Sequence, residues 1–200
     1  MTDTSLPVIL LAAGASSRMR GRDKLLEEVD GQPLLRRQAR LAQGVGPVIV
    51  ALPPAPHPRY TALTGLDVTA LPVADAAEGM GASLRAAFAA LPAQTPAAMV
   101  MLADMPELQA EDLARLAEAV DTESDTLIWR AATMNGAPGH PIVFAAALFE
   151  QLTQLTGDDG GRAVVQSAAD RVRLIPLPGD RARLDLDTPE EWAAWRQGRI

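Results

Sequence analysis

Cysteine is absent from the 200-residue chain, which excludes a disulfide framework, a thiolate metal site and a cysteine nucleophile. Histidine occurs twice, at His57 and His140, too sparsely for a histidine-rich zinc site. No run approaches the roughly 18 apolar residues of a membrane span. Asp3 interrupts the start of any signal-peptide pattern, so a cytoplasmic protein is expected. A net charge of −7 removes the basic face that general nucleic-acid binding needs. It leaves room for a small anion held by a local cluster of cations. Lysine is all but missing: of eighteen basic residues, Lys24 alone is not arginine.

What is present is ordinary for a soluble globular chain, with 48% hydrophobic and 22% charged residues. The length suits a single domain over residues 1–200, with no linker, repeat or low-complexity tail. Apolar runs at Pro7–Ala12, Pro47–Leu52 and Ala97–Ala103 read as buried strands, with weaker ones at Leu66–Leu71, Thr126–Trp129 and Val172–Leu177. Helical patterns lie between them at Pro33–Leu41, Ser83–Leu91 (capped by Ser83) and Gln109–Val120. "PPAPHPRY" reads as a proline-rich loop. The alternation predicts an α/β fold whose mostly parallel sheet is covered on both faces. After Ala131 the pattern changes to an extended segment and turn, read as an antiparallel hairpin, followed by helices at Ala145–Leu155 and Gly161–Ala169.

Ligands of open α/β sheets bind beyond the carboxyl ends of the strands. The loop Ala12–Lys24 leaves the first strand at such an end. Ala12, Ala13, Gly14, Ala15, Ser16 and Ser17 are small enough to let backbone N–H groups approach an anion. Arg18 can fork onto phosphate oxygens, and Lys24 can supply a compact point charge. A chain whose cations are otherwise all arginine places its one lysine in this loop. The pattern is neither GxxxxGK[ST] nor GxGxxG. Asp104 follows the third strong strand, and Asp185 and Asp187 are expected to share one face of a late strand. Carboxylates so placed suit Mg²⁺, although each also suits a helix N-cap.

"LLAAGASSRMRGRDKLL" resembles the LxAGxxxRMGxxxK signature of the nucleotidyltransferases that complete molybdenum cofactor, the cytidylyltransferase and its guanylyltransferase relative. Arg20 stands where that family has glycine, a strained residue if the position needs positive φ. "ADMP" resembles the family's GDxP element and "LDLDTPEEW" its DIDTPED element. "EGMGASL" resembles its GMxxSL segment, with Val73, Ala74 and Ala76 in place of the usual Asn, Pro and Trp. "GHP" and "LTGDDGGR" resemble two acceptor-side elements.

The resemblance implies a three-layer Rossmann-like nucleotidyltransferase. It implies Arg18, Lys24 and Asp104 as catalytic residues and Asp104 and Asp187 as ligands of Mg²⁺. Nucleotide contacts would come from Leu11, Ala12, Ala13, Gly14, Ala15, Ser16, Lys24, Gly79 and Ser83. His140, Asp158 and Arg162 would face the acceptor. The substrates implied are CTP and molybdopterin, with contact to a molybdoenzyme or its chaperone. GTP, or a sugar- or alcohol-phosphate acceptor, is the alternative enzyme. A non-catalytic module that escorts the cofactor to a molybdoenzyme is the other class.

Overall fold

The computed structural model describes residues 6–156 and 160–198. In chain order the strands are β1 (Val8–Leu11), the short pair β2 (Glu28–Val29) and β3 (Gln32–Pro33), β4 (Val48–Leu52), β5 (Thr69–Pro72), β6 (Ala97–Leu102), β7 (Ile128–Ala132), β8 (Pro138–Ala145) and β9 (Val172–Pro176). The helices are α1 (Leu34–Gln43), α2 (Pro58–Ala62), α3 (Met80–Ala89), α4 (Ala110–Glu118), α5 (Phe149–Thr153), α6 (Arg162–Ser167) and α7 (Pro189–Gln197).

Seven strands form one sheet in the order β5-β4-β1-β6-β8-β7-β9. β8 runs against both of its neighbours, and the other pairings are parallel. The predicted hairpin is therefore β7–β8. β2 and β3 pair separately across Asp30 and Gly31, both at positive φ, as a two-residue hairpin turn requires.

Alternation along the strands sorts the core into two layers. Val8, Leu10, Val50, Met99 and Trp129 pack on one side with Leu35 of α1, Leu113 of α4 and Trp192 of α7. Ile9, Leu11, Ala98, Val100 and Ile128 pack on the other with Leu84 and Phe88 of α3, Leu152 of α5 and Val164 of α6. The α/β/α sandwich matches the expected fold class.

Four local expectations change. α3 opens at Met80 with Gly79 at its cap, so Ser83 is a buried residue inside the helix rather than its N-cap. The proline-rich loop contains α2, whose first position is Pro58 and whose cap is the His57 side chain; proline suits that position because its missing N–H has no partner there anyway. Residues 184–187 are not a strand. They are tied just beyond the end of β6 by the bond from the Leu186 N–H to the Asp104 carbonyl at 3.2 Å. The weak strand expected at Leu66–Leu71 begins three residues later, at Thr69.

The order of crossing places the site. From β1 the chain moves outward to β4 and β5, then returns past β1 to β6. The direction of winding thus reverses between β1 and β6, which end level with each other at Leu11 and Leu102. A crevice opens at such a switch point.

Candidate functional site

The glycine loop leaves β1 into that crevice. Among the described residues, the N–H groups of Ala13 to Ser16 make no hydrogen bond within the protein. Small side chains leave them open to an anion. Met19 is fully buried and anchors the loop. Arg20 has φ 52° and ψ 50°. The position where the family has glycine does need a left-handed residue, and arginine pays about 1 kcal/mol there. Its ion pair with Glu190, at 2.7 Å between two largely exposed side chains, returns little. Arg20→Gly is expected to raise the melting temperature by about 2–4 °C, measured by thermal unfolding.

Lys24, Asp104, Asp187 and Arg18 meet at the loop's mouth. The Lys24 Nζ donates to Asp104 Oδ2 at 2.5 Å and to Asp187 Oδ1 at 2.6 Å, with all three side chains at most 17% exposed. Arg18 closes the other side of Asp187 at 2.6 Å. The sequence suggested Lys24 as a phosphate contact; here it bridges the two carboxylates proposed to hold metal. This explains why the site takes lysine. A compact ammonium bridges both carboxylates at once, where a planar guanidinium would present its donors as a rigid fork. Burial pulls the Lys24 pKa down, but Asp104 and Asp187 outweigh it and hold it above its ordinary value. Burial likewise pushes Asp187 up, and Lys24 and Arg18 overcome that to hold it below the usual carboxylate range.

Asp185 joins them. Carboxylate oxygens of Asp104, Asp185 and Asp187 lie within 4.8 Å of one another. Asp185 is raised, by burial first and then by the charges of Asp104 and Asp187. Asp104 Oδ1 is buried with no hydrogen-bond partner, and a sealed oxygen of that kind is costly unless something occupies it. Three carboxylates against two cations and one orphaned oxygen fit a divalent ion. Thr188 explains why Asp187 is available: its hydroxyl caps α7 by accepting from the Glu191 N–H, while Glu191 accepts from the N–H groups of Asp187 and Thr188. The capping box leaves the Asp187 carboxylate free of the helix.

A crevice of about 500 Å³ runs from this cluster along Leu11–Ala15 to Ala76, Gly79, Met80 and Ser83. Gly79, at φ 111° and ψ −167°, takes a turn that only glycine adopts without strain. Val73, in the place of the family's asparagine, is buried in the core, whereas Ala76 lines the crevice.

Met80 also lines a second cavity of about 490 Å³, with Arg130, His140, Phe144, Gly161 and Arg162. His140 and Arg162 therefore share a wall of one cavity; Gly157 and Asp158 lie outside the described residues. Arg130, unnoticed in the sequence, donates its Nε–H to the Gly139 carbonyl at 2.9 Å. Glycine is required at 139, since a Cβ would stand 1.8 Å from the Ala182 carbonyl oxygen. That contact sets His140, whose N–H donates to the same oxygen at 2.7 Å.

Burial and then the Arg130 charge push the His140 pKa down from 6.5 to about 4. Above pH 6.5 the residue is neutral folded or unfolded. As pH falls from there toward 4, the unfolded chain takes up a proton that the folded chain refuses, so stability is lost by up to about 3 kcal/mol. Urea unfolding at pH 7 and pH 4.5 should show a larger loss for the native sequence than for His140→Gln.

Comparison with known proteins accords with this geometry. The family model of the MobA-like NTP transferase domain matches residues 8–172. The crystal structure of Rv0371c from Mycobacterium tuberculosis H37Rv is 27% identical, with 96% of this chain and 98% of that one covered and a TM-score of 0.78; its complex with manganese is similar, at 26% identity and a TM-score of 0.77 over 95% of this chain and 97% of that one. The Rv0371c homolog from Mycobacterium sp. strain JC1 is 26% identical, covered to 98% and 96%, with a TM-score of 0.83. The bifunctional protein GlmU of Sorangium cellulosum is 32% identical over 138 residues, 62% of this chain. The match spans only 28% of that relative's length. Because the family model covers the sheet from β1 to the start of β9 and both strands that flank the crevice, the chain belongs to the MobA-like NTP transferase family and is a nucleotidyltransferase.

Proposed function

We propose that the enzyme transfers CMP from CTP to the terminal phosphate of molybdopterin and releases pyrophosphate. The observation that carries this reading is the lone lysine held between Asp104 and Asp187 at the mouth of an amide-lined loop. An oxygen of the acceptor phosphate attacks the α-phosphorus, a new P–O–P bridge forms, and the bond to the β-phosphate breaks as pyrophosphate departs. The attacking oxygen is already anionic, so no general base is required. Catalysis then consists of positioning and charge neutralisation.

The N–H groups of Ala13–Ser16 hold the triphosphate. Lys24 and Arg18 neutralise the charge that grows on the leaving pyrophosphate, Lys24 turning from its carboxylates toward the phosphates when nucleotide enters. Asp104 and Asp187, with Asp185 beside them, would hold Mg²⁺. When bound, such an ion supplies Lewis-acid neutralisation of phosphate oxygens. The manganese complex of Rv0371c agrees with a divalent ion in a protein of similar fold. Gly79 and Ser83 border the nucleoside. The cavity of His140, Arg162 and Arg130 would receive the acceptor beside the nucleotide, a reading supported by Met80, which lines both cavities.

Ala13 favours CTP over GTP. The guanylyl branch more often has a second glycine there, whereas "AAG", "GHP" and "DLDTP" resemble the cytidylyl branch, and Ala13 lines the crevice. Contact with a molybdoenzyme that receives the product belongs to the same proposal. The deciding experiment offers molybdopterin with CTP, GTP or ATP and Mg²⁺ and measures pyrophosphate. Release with CTP is expected. Release with none of the three overturns the acceptor, and release with GTP alone overturns the base.

A further inference from the structure

The glycine loop is held from behind by a residue that neither the motifs nor the proposed chemistry uses. Arg59, in the first turn of α2, has a side chain only 1% exposed. Its Nε and one terminal nitrogen fork onto the two oxygens of Asp23, each at 2.8 Å. Its other terminal nitrogen donates to the Ala12 carbonyl at 2.7 Å, and the forked one also donates to the Ser16 hydroxyl at 3.0 Å. These partners stand at the start, the middle and the end of the loop. One rigid guanidinium thus fixes three points of it.

The constraint reaches the chemistry through Asp23 and Ser16. Asp23 Oδ1 accepts from the Leu25 N–H at 3.0 Å and so caps the 3₁₀ turn Lys24–Leu26 that carries the lysine. The same oxygen accepts from the Ser16 hydroxyl at 3.2 Å. Ser16 has φ 51° and ψ 33°, a left-handed conformation that costs an L-residue about 1–2 kcal/mol. Such a conformation persists only where its surroundings over-determine it. The hydroxyl's bonds to Arg59 and Asp23 do so. A buried ion pair is by itself a poor source of stability, so its use here is better explained by geometry.

We propose that Arg59 is a positioning residue that holds the anion-binding loop in its binding shape, through Ser16 and Asp23, without touching the nucleotide. The inference rests on the nucleotide reading above. Arg59→Lys keeps the charge but cannot span three partners. Titration calorimetry with Mg·CTP and Mg·GTP, and steady-state kinetics, are expected to show affinity and KM worsened about tenfold with kcat changed far less.

Adding Ser16→Gly to Arg59→Lys is expected to recover most of the lost affinity, because glycine takes the left-handed turn without its side chain being held. A merely structural arginine would give no such recovery. Should Arg59→Lys fail to fold, Asp23→Asn, which weakens the fork and keeps its shape, carries the same expectation and the same rescue. Wild-type affinity in the folded variant, or lost affinity with no recovery from Ser16→Gly, overturns the inference alone. A native protein that binds neither nucleotide overturns the underlying reading and this inference with it.

Discussion

Replacing Lys24 with alanine is expected to cut pyrophosphate release by about 10²–10³-fold while moving the melting temperature, in the presence of Mg²⁺, by only a few degrees. In the proposed reaction the two effects separate because Lys24 would do two different jobs. Without nucleotide its ammonium lies between Asp104 and Asp187 at 2.5 and 2.6 Å, a task that a divalent ion can take over. With nucleotide bound, the proposed reaction offers no such substitute for neutralising the leaving phosphates. Lys24→Arg is the sharper variant. It keeps the charge, yet a planar guanidinium presents its donors in a different geometry from the ammonium that bridges the two carboxylates, so a large loss is expected from it as well. Pyrophosphate release unchanged in Lys24→Ala would remove the lysine from the mechanism.

Asp104→Asn is expected to abolish metal-dependent turnover, by about 10³-fold, and to leave the metal-free fold within about 1 kcal/mol of the native sequence. Asp104 loses its ion pair with Lys24 in this variant, but the repulsion among three carboxylates within 4.8 Å falls too. The buried Oδ1 has no partner in the protein, and Lys24 keeps its second carboxylate, Asp187, so neutralising Asp104 costs the fold little. Two readouts check this. Pyrophosphate release reports turnover, and the rise in melting temperature on adding Mn²⁺ or Mg²⁺, expected for the native protein by mass action, should vanish in Asp104→Asn. An undiminished thermal shift would mean that the ion binds elsewhere.

The loop and the lysine of the candidate site are legible because two local signals mark them. A small-residue loop after an apolar strand can be read in one dimension, and so can a lysine in a chain of arginines. Asp104 is set by the strand that precedes it. Arg20 shows the same legibility in reverse: a glycine position filled by arginine has the positive φ that the pattern demanded. Gly79 stands in the turn before α3 as expected, whereas Ser83 lies inside the helix and not at its cap, since helix starts depend on where the preceding turn lets the backbone enter.

Other features had no local signature. Asp185 and Asp187 sit beside Asp104 not because a strand carries them but because Leu186 is bonded to the Asp104 carbonyl, a pairing of residues more than eighty positions apart. Arg59 lies in a stretch whose prolines read as loop, and its partners Ala12, Ser16 and Asp23 lie at least 36 residues earlier. The proximity of Arg130 to His140 and Arg162 arises from the β7–β8 hairpin and α6 meeting over one cavity.

By itself the sequence determined the α/β/α layering and marked the small-residue loop and the carboxylates at Asp104 and Asp187 as candidates, because hydrophobic periodicity and small-residue turns act over a few neighbouring positions. Only the tertiary structure decided that Lys24 rests on the carboxylates, that Asp185 completes their cluster and that Arg59 braces the loop. Those contacts arise where the winding of the sheet reverses, and a reversal of strand order brings together segments that no local pattern links.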